Sequence, residues 1–206
     1  MISHASSAPH PSRWGEYYTA VSSRPPRELW RQTVLRFGPG DYPSRFAIDL
    51  GCGAGTETVA LLSEGWHVLA IDQQPDAIAH VLARVAPAHQ ARLATQIVSF
   101  EHVECPAADF IWAGRSLPFC PPAHFPRLWE KIVTLLRSGG RFAGDFFGVR
   151  HAWAHRQEMT FHTVEQITAL CQPLQLEYFI TEEGERVTAR DGLQPWHAYA
   201  VIARKP

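Results

Sequence analysis

Along the 206-residue chain, dense apolar runs alternate with segments in which apolar residues recur every three or four positions. The runs RFAIDL (45–50), WHVLAID (66–72), LATQIVSF (93–100), AADFIWAG (107–114) and RFAGDFFG (141–148) are short and rich in β-branched or aromatic residues. They predict five buried strands. Between them the spacing predicts helices. One begins near Ser23 or the Pro25–Pro26 pair, carries Leu29, Trp30, Val34 and Leu35 on one stripe, and stops at Gly38. Others cover 55–64, 75–86 with Pro75 in the first turn, 125–140 with a glycine stop, and 164–172. Residues 174–184 and 197–205 alternate apolar and polar positions, with DG and QP turn signals between them. They predict antiparallel neighbours at one edge.

Strands alternating with helices build βαβ units. The expected architecture is α/β, with helices on both faces of a seven-stranded, mostly parallel sheet and an antiparallel C-terminal strand pair. Residues 1–13 read as a flexible N-terminal tail and 14–206 as one domain. In open sheets of this kind a ligand sits beyond the carboxyl ends of the strands, where strand order reverses. The end of the first strand is that point.

The stretch there is FAIDLGCGAGTET (46–58), in which Asp49 precedes Gly51, Gly53 and Gly55. Alternating glycines let the backbone turn sharply and approach a ligand closely. A second acid, Asp72, closes the second strand, where a carboxylate can accept from both hydroxyls of a ribose. The spacing is not G-x-G-x-x-G, because the third glycine comes one residue early. An acid beside the turn also repels a pyrophosphate and suits a cationic or zwitterionic ligand.

These residues carry a resemblance. IDLGCGAGTET followed by VLAID resembles the first two motifs of the class I S-adenosylmethionine-dependent methyltransferases. ADFIWAGRSLPF and LLRSGGRFAGDFFG are similar to the family's fourth-strand and fifth-strand regions, and within the family the chain looks most like the small bacterial single-domain enzymes related to tellurite-resistance methyltransferases. The resemblance implies a Rossmann-like three-layer sandwich that binds S-adenosyl-L-methionine and releases S-adenosyl-L-homocysteine. It implies that Asp49, Gly51, Cys52, Gly53 and Gly55 line the methionine and sulfonium part. Asp72 would bind the ribose with Gln73 at the adenine edge, Phe100 and Glu101 would pack and hydrogen-bond adenine, and Trp112 and Ala113 would floor the methionine. Trp14, Tyr17, Tyr18 and Arg24 stand where related enzymes place a lid, and Arg24 could pair with the cofactor carboxylate.

The expected reaction moves a methyl group to a small-molecule acceptor by in-line displacement, with Tyr18, Arg115 and His151 as acceptor-side catalytic candidates. His151 and His155 are spaced i, i+4, as metal ligands on one helix face would be, but no third ligand is evident and no metal is expected. Two other readings remain open at this level: a nicotinamide-dependent oxidoreductase, and a non-catalytic module that keeps the cofactor pocket.

Composition narrows the partners. The net charge is −1 and no basic stripe appears, so no nucleic acid is expected. No apolar run reaches membrane-span length and the first residues lack a secretory apolar core, which points to a soluble, cytoplasmic, bacterial enzyme without membrane contact. The four cysteines include no C-x-x-C pair and read as free thiols. A monomer or homodimer fits these totals.

Overall fold

The computed structural model describes residues 15, 18, 20–38, 45–188 and 192–206. The expected tail, Trp14 and Tyr17 lie outside them. The helices are α1 (Glu28–Leu35), α2 (Thr56–Ser63), α3 (Pro75–Arg84), α4 (Phe125–Leu135) and α5 (Val164–Cys171). The strands are β1 (Phe46–Leu50), β2 (His67–Asp72), β3 (Leu93–Ile97), β4 (Ala108–Ala113), β5 (Leu136–Gly148), β6 (Phe161–His162), β7 (Gln175–Thr188) and β8 (Gly192–Arg204).

The main path of the sheet runs β3-β2-β1-β4-β5-β8-β7. Strands β1 to β5 are parallel, and β8 is antiparallel to both β5 and β7. These are the seven strands the hydrophobic pattern predicts. An eighth, the two-residue β6, pairs in parallel with the end of β5 through Phe147 and Gly148. It is too short to leave a periodic signal.

The central strands are apolar throughout because both faces are covered. Ile48, Ile71, Ile111 and Phe146 face Leu128, Trp129 and Ile132 of α4 and Ile167 of α5. Their neighbours Ala47, Val68, Ala70 and Phe110 face Trp30 of α1, Leu61 and Leu62 of α2, and Ile78 and Val81 of α3. The period of two along each strand thus divides the core between the layers.

Three boundaries differ from the expected ones. Helix α4 ends at Leu135, short of the glycine pair, because Leu136 turns extended (ψ 130°) and enters the sheet opposite Ala108. Strand β3 stops at Ile97, and Phe100–His102 form a 3-10 turn. The terminal hairpin is longer than its alternation suggests. Residues 198–204 of β8 pair with β5, while 192–197 pair only with β7 and extend past the sheet. Pro195, read as a turn signal, lies in that overhang, where a residue without an N–H is tolerated on an edge.

Candidate functional site

A cavity of about 390 Å³ opens beyond the carboxyl ends of β1, β2 and β4. One end is walled by Asp49, Gly51, Cys52, Gly53, Asp72, Gln73 and Phe100, all named from the sequence. Trp112 also lines the cavity, and its indole folds back across Gly114, where an added Cβ would come within 2.3 Å of the ring.

The glycine turn is held by β2. Gly51 N–H and Cys52 N–H both donate to Ile71 O, at 2.8 and 2.9 Å. Gly53 N–H donates to Asp72 Oδ2 at 3.0 Å, and Gly55 N–H to Cys52 O at 2.9 Å. These amides are therefore committed within the protein and do not form a cradle for phosphate oxygens. Gly51 (φ 79°) is doubly constrained, since a Cβ there would stand 2.4 Å from Ser116 Cβ. Gly55 (φ 75°) is needed for a different reason from the one expected: it lies behind the cavity wall, with Val81 of α3 packed against it.

The acids are unusually dry. Asp49 is buried, accepts from Thr58 Oγ1 at 2.6 Å, and has its pKa pushed up to about 7 by loss of hydration. Burial also raises the pKa of Asp72. Its second oxygen accepts from Gln74 N–H at 2.9 Å. The N-cap of helix α3 is Gln74, with no side-chain cap bond, and Asp72 holds the Gln74 amide just ahead of the first turn. Burial pushes the Cys52 thiol up and keeps it protonated at neutral pH.

Glu57 is a third acid on this wall that the sequence reading passed over, since Glu in the first turn of a helix looks like ordinary dipole complementation. It is buried, and its oxygens accept from Arg24 Nη1 at 2.6 Å and Nη2 at 2.8 Å, with Arg27 N–H at 3.1 Å. Arg24 lines the cavity as expected, but with a carboxylate of the protein on its guanidinium.

Other expected residues fall elsewhere. Tyr18, assigned to the acceptor side, lies against the glycine turn, 3.5 Å from where a Gly53 Cβ would stand. Glu101 is not on the cavity wall, and its carboxyl is lowered chiefly by a Ser99 hydrogen bond. Ala113 is fully buried behind the wall. His151 also lies behind it, stacked on Phe147 at 4.0 Å between ring centroids. Its Nδ1 accepts from Trp153 N–H at 3.1 Å, which places the proton on Nε2. Burial lowers its pKa to about 4, so the ring is neutral and its one lone pair is already engaged. That arrangement does not suit a general base. His155 is exposed on an irregular turn rather than one helix face with His151. Among the described residues no group of three or more His, Cys, Asp or Glu could hold a metal ion.

The opposite end of the cavity is lined by Arg115, Phe119, Phe147, Trp153, Arg186 and Trp196. Arg115 was expected there; the aromatic set was not. Trp196 comes from the overhang of β8 and Arg186 from the overhang of β7, so their placement depends on how far the hairpin extends.

Residues 47–140 match the family model described as a methyltransferase domain. Solved methyltransferases share the fold of this chain. TehB from Haemophilus influenzae superposes with a TM-score of 0.74 at 13% identity over 94% of this chain and 67% of that one. The N-methyltransferase NodS from Bradyrhizobium japonicum, in complex with S-adenosyl-L-homocysteine, gives 0.66 at 17% identity, covering 94% and 98%. Phosphoethanolamine N-methyltransferase 2 from Haemonchus contortus, in complex with S-adenosyl-L-methionine, gives 0.69 at 16%, covering 94% of this chain and 56% of that one. No curated protein matches the chain by sequence. The methyltransferase fold accounts for the strand order, the antiparallel pair and the position of the turn. No helix among the described residues is long and apolar enough to cross a membrane.

Proposed function

We propose that this methyltransferase domain binds S-adenosylmethionine on the Gly51–Gly53 turn and passes its methyl group to a small-molecule acceptor at the far end of the cavity. The observation that carries the reading is the state of the turn. Its amides are spent on β2, and Asp49, Glu57 and Asp72 face the same space. A dinucleotide would bring its diphosphate to three carboxyl groups and to turn amides already engaged within the protein, which disfavours the nicotinamide reading. A ligand with a sulfonium, an ammonium and a ribose diol meets the donor and acceptor set that is present.

When bound, the cofactor would supply an electrophilic methyl carbon, its C–S bond giving up the electron pair to sulfur as the acceptor atom takes the methyl, and the acceptor's proton would pass to solvent. The residues position and enclose. Asp72 keeps a lone pair on each oxygen for the ribose hydroxyls. Asp49 lines the cavity and would hold the cofactor ammonium, which would favour its ionised form. Arg27 lines the cavity close to Glu57 and supplies positive charge for the cofactor carboxylate. Phe100, Trp112 and Tyr18 exclude water from the reacting centre. Titration with S-adenosylhomocysteine and, separately, NADH in a calorimeter tests the reading. Binding of the first and not the second is expected, and the reverse would overturn it.

A further inference from the structure

We propose, resting on the methyl-transfer reading above, that Asp145 is a positioning residue: its carboxylate locks the turn of residues 114–116, and that turn holds the glycine turn and the ring-lined end of the cavity in register with each other.

Asp145 stands apart from the acids already described. It is buried in β5, directly after the pairing of Ala113 with Gly144, and it does not line the cavity. A carboxyl kept out of water is costly unless its oxygens are used. Its Oδ2 accepts from the backbone N–H of Arg115 at 2.9 Å. Burial raises its pKa, and the charges of Arg27 and Arg115, both on the cavity wall, oppose that rise. The acid thus sits within the field of a guanidinium from each end of the cavity.

The residue it holds is strained. Arg115 (φ 56°) is the one non-glycine residue at positive φ among the described residues. In that conformation Cβ crowds the following carbonyl oxygen, so an L-residue persists there only where its surroundings over-determine it. The Asp145 bond is a fixed point of this kind, placed immediately after β4.

Contacts with both parts of the wall start from this one turn. Gly114 carries the Trp112 indole across its face. Arg115 sends its guanidinium to within 4.6 Å of the centre of the Trp196 ring. Ser116 is buried, donates through Oγ to Leu50 O, and fills the space over Gly51, where an added Cβ would stand 2.4 Å from its own. Leu50 ends β1 and Gly51 opens the glycine turn. Without the Asp145 acceptor, Arg115 would relax to negative φ and carry Ser116 off Gly51. The glycine turn would lose its backing, although Asp145 itself touches neither that turn's wall nor a ligand.

The test uses Asp145→Ala, Asp145→Asn and the double variant Asp145→Ala with Arg115→Gly. Each is titrated with S-adenosylhomocysteine in a calorimeter and followed by amide hydrogen exchange without ligand. Asp145→Ala is expected to bind about tenfold or more weakly, the usual effect of a lost charge-assisted hydrogen bond. Its Gly51 and Gly53 amides should exchange about tenfold faster, while those within β2 stay within about twofold of wild type. Asp145→Asn keeps an acceptor for the Arg115 amide and should return both readouts to within about threefold of wild type. Glycine takes the left-handed conformation without strain, so Arg115→Gly should recover much of the loss, and should restore folding where Asp145→Ala alone does not fold. Wild-type affinity in Asp145→Ala, no rescue by Asp145→Asn, a double variant no better than Asp145→Ala, or exchange that quickens equally across β2 would overturn the proposal. Failure of S-adenosylhomocysteine to bind the wild type would overturn the cofactor reading instead. Exchange of the two glycine amides, measured without ligand, would still decide this one.

Discussion

The backbone N–H of Gly53 donates to the carboxylate of Asp72 at 3.0 Å, tying the glycine turn after β1 to the acid that ends β2. The acid therefore has two tasks: it fixes the turn and faces the cavity. Removing it should disturb both. For Asp72→Ala, affinity for S-adenosylhomocysteine should fall at least about tenfold, and stability by about 1–2 kcal/mol from the freed amides. Asp72→Asn keeps an acceptor for Gly53 and should recover most of the stability but less of the affinity. Calorimetry and thermal unfolding on the pair separate the two tasks.

Gly51 and Ser116 make a second coupled pair. In Gly51→Ala the new Cβ would meet Ser116 Cβ at 2.4 Å in a backbone already at φ 79°. The expected cost is about 2 kcal/mol or more, part clash and part left-handed strain. Adding Ser116→Gly should return the clash component alone. A double variant no more stable than Gly51→Ala in denaturant titration would refute the coupling.

Asp49 predicts a pH dependence whose sign is fixed by its raised pKa, about 7 against 3.8. Between those values the folded state holds a proton that the unfolded state has released. Stability of the ligand-free protein should therefore fall as pH rises from 4 to 7, with a slope of up to about 1.4 kcal/mol per unit. Above 7 this contribution flattens. Cofactor binding should run the other way, strengthening as pH rises through 7, because a cation favours the ionised carboxyl. Asp49→Asn should flatten both profiles, measured by chemical unfolding and calorimetry at pH 5, 6, 7 and 8.

Glu57 should prove structural as well as electrostatic. It accepts from both Arg24 terminal nitrogens and from Arg27 N–H. Glu57→Ala is expected to cost about 2 kcal/mol, as charge-assisted bonds of this kind do. Arg24→Ala in that background should cost less than it does in the wild type. Additive losses in a double-mutant cycle would count against the pairing.

Much of the glycine-turn end of the cavity was legible in the chain because its signals are local. The turn, the acid before it and the acid after β2 all lie within 24 residues, and glycine at positive φ leaves a compositional trace. Glu57 escaped because an acid in the first turn of a helix is ordinary; only its burial against Arg24 sets it apart. The aromatic end was less visible for a topological reason. Phe119, Trp153 and Trp196 come from three separate segments, and nothing in their spacing says that an overhanging hairpin will bring them together. The setting of His151 was not legible, because sequence shows an imidazole but not the Trp153 amide that donates to its Nδ1. The end of α4 was overrun because Leu136 continues the helical stripe, although its side chain belongs to the sheet core.

The hairpin overhang carries an evolutionary corollary. Phe147, Trp153, Arg186 and Trp196 all lie after residue 140, beyond the stretch that matches the methyltransferase family, while the glycine turn and both strand-end acids lie inside it. Lengthening, trimming or grafting that arm would reshape the ring-lined end of the cavity without touching the glycine turn, so the two ends can diverge at different speeds.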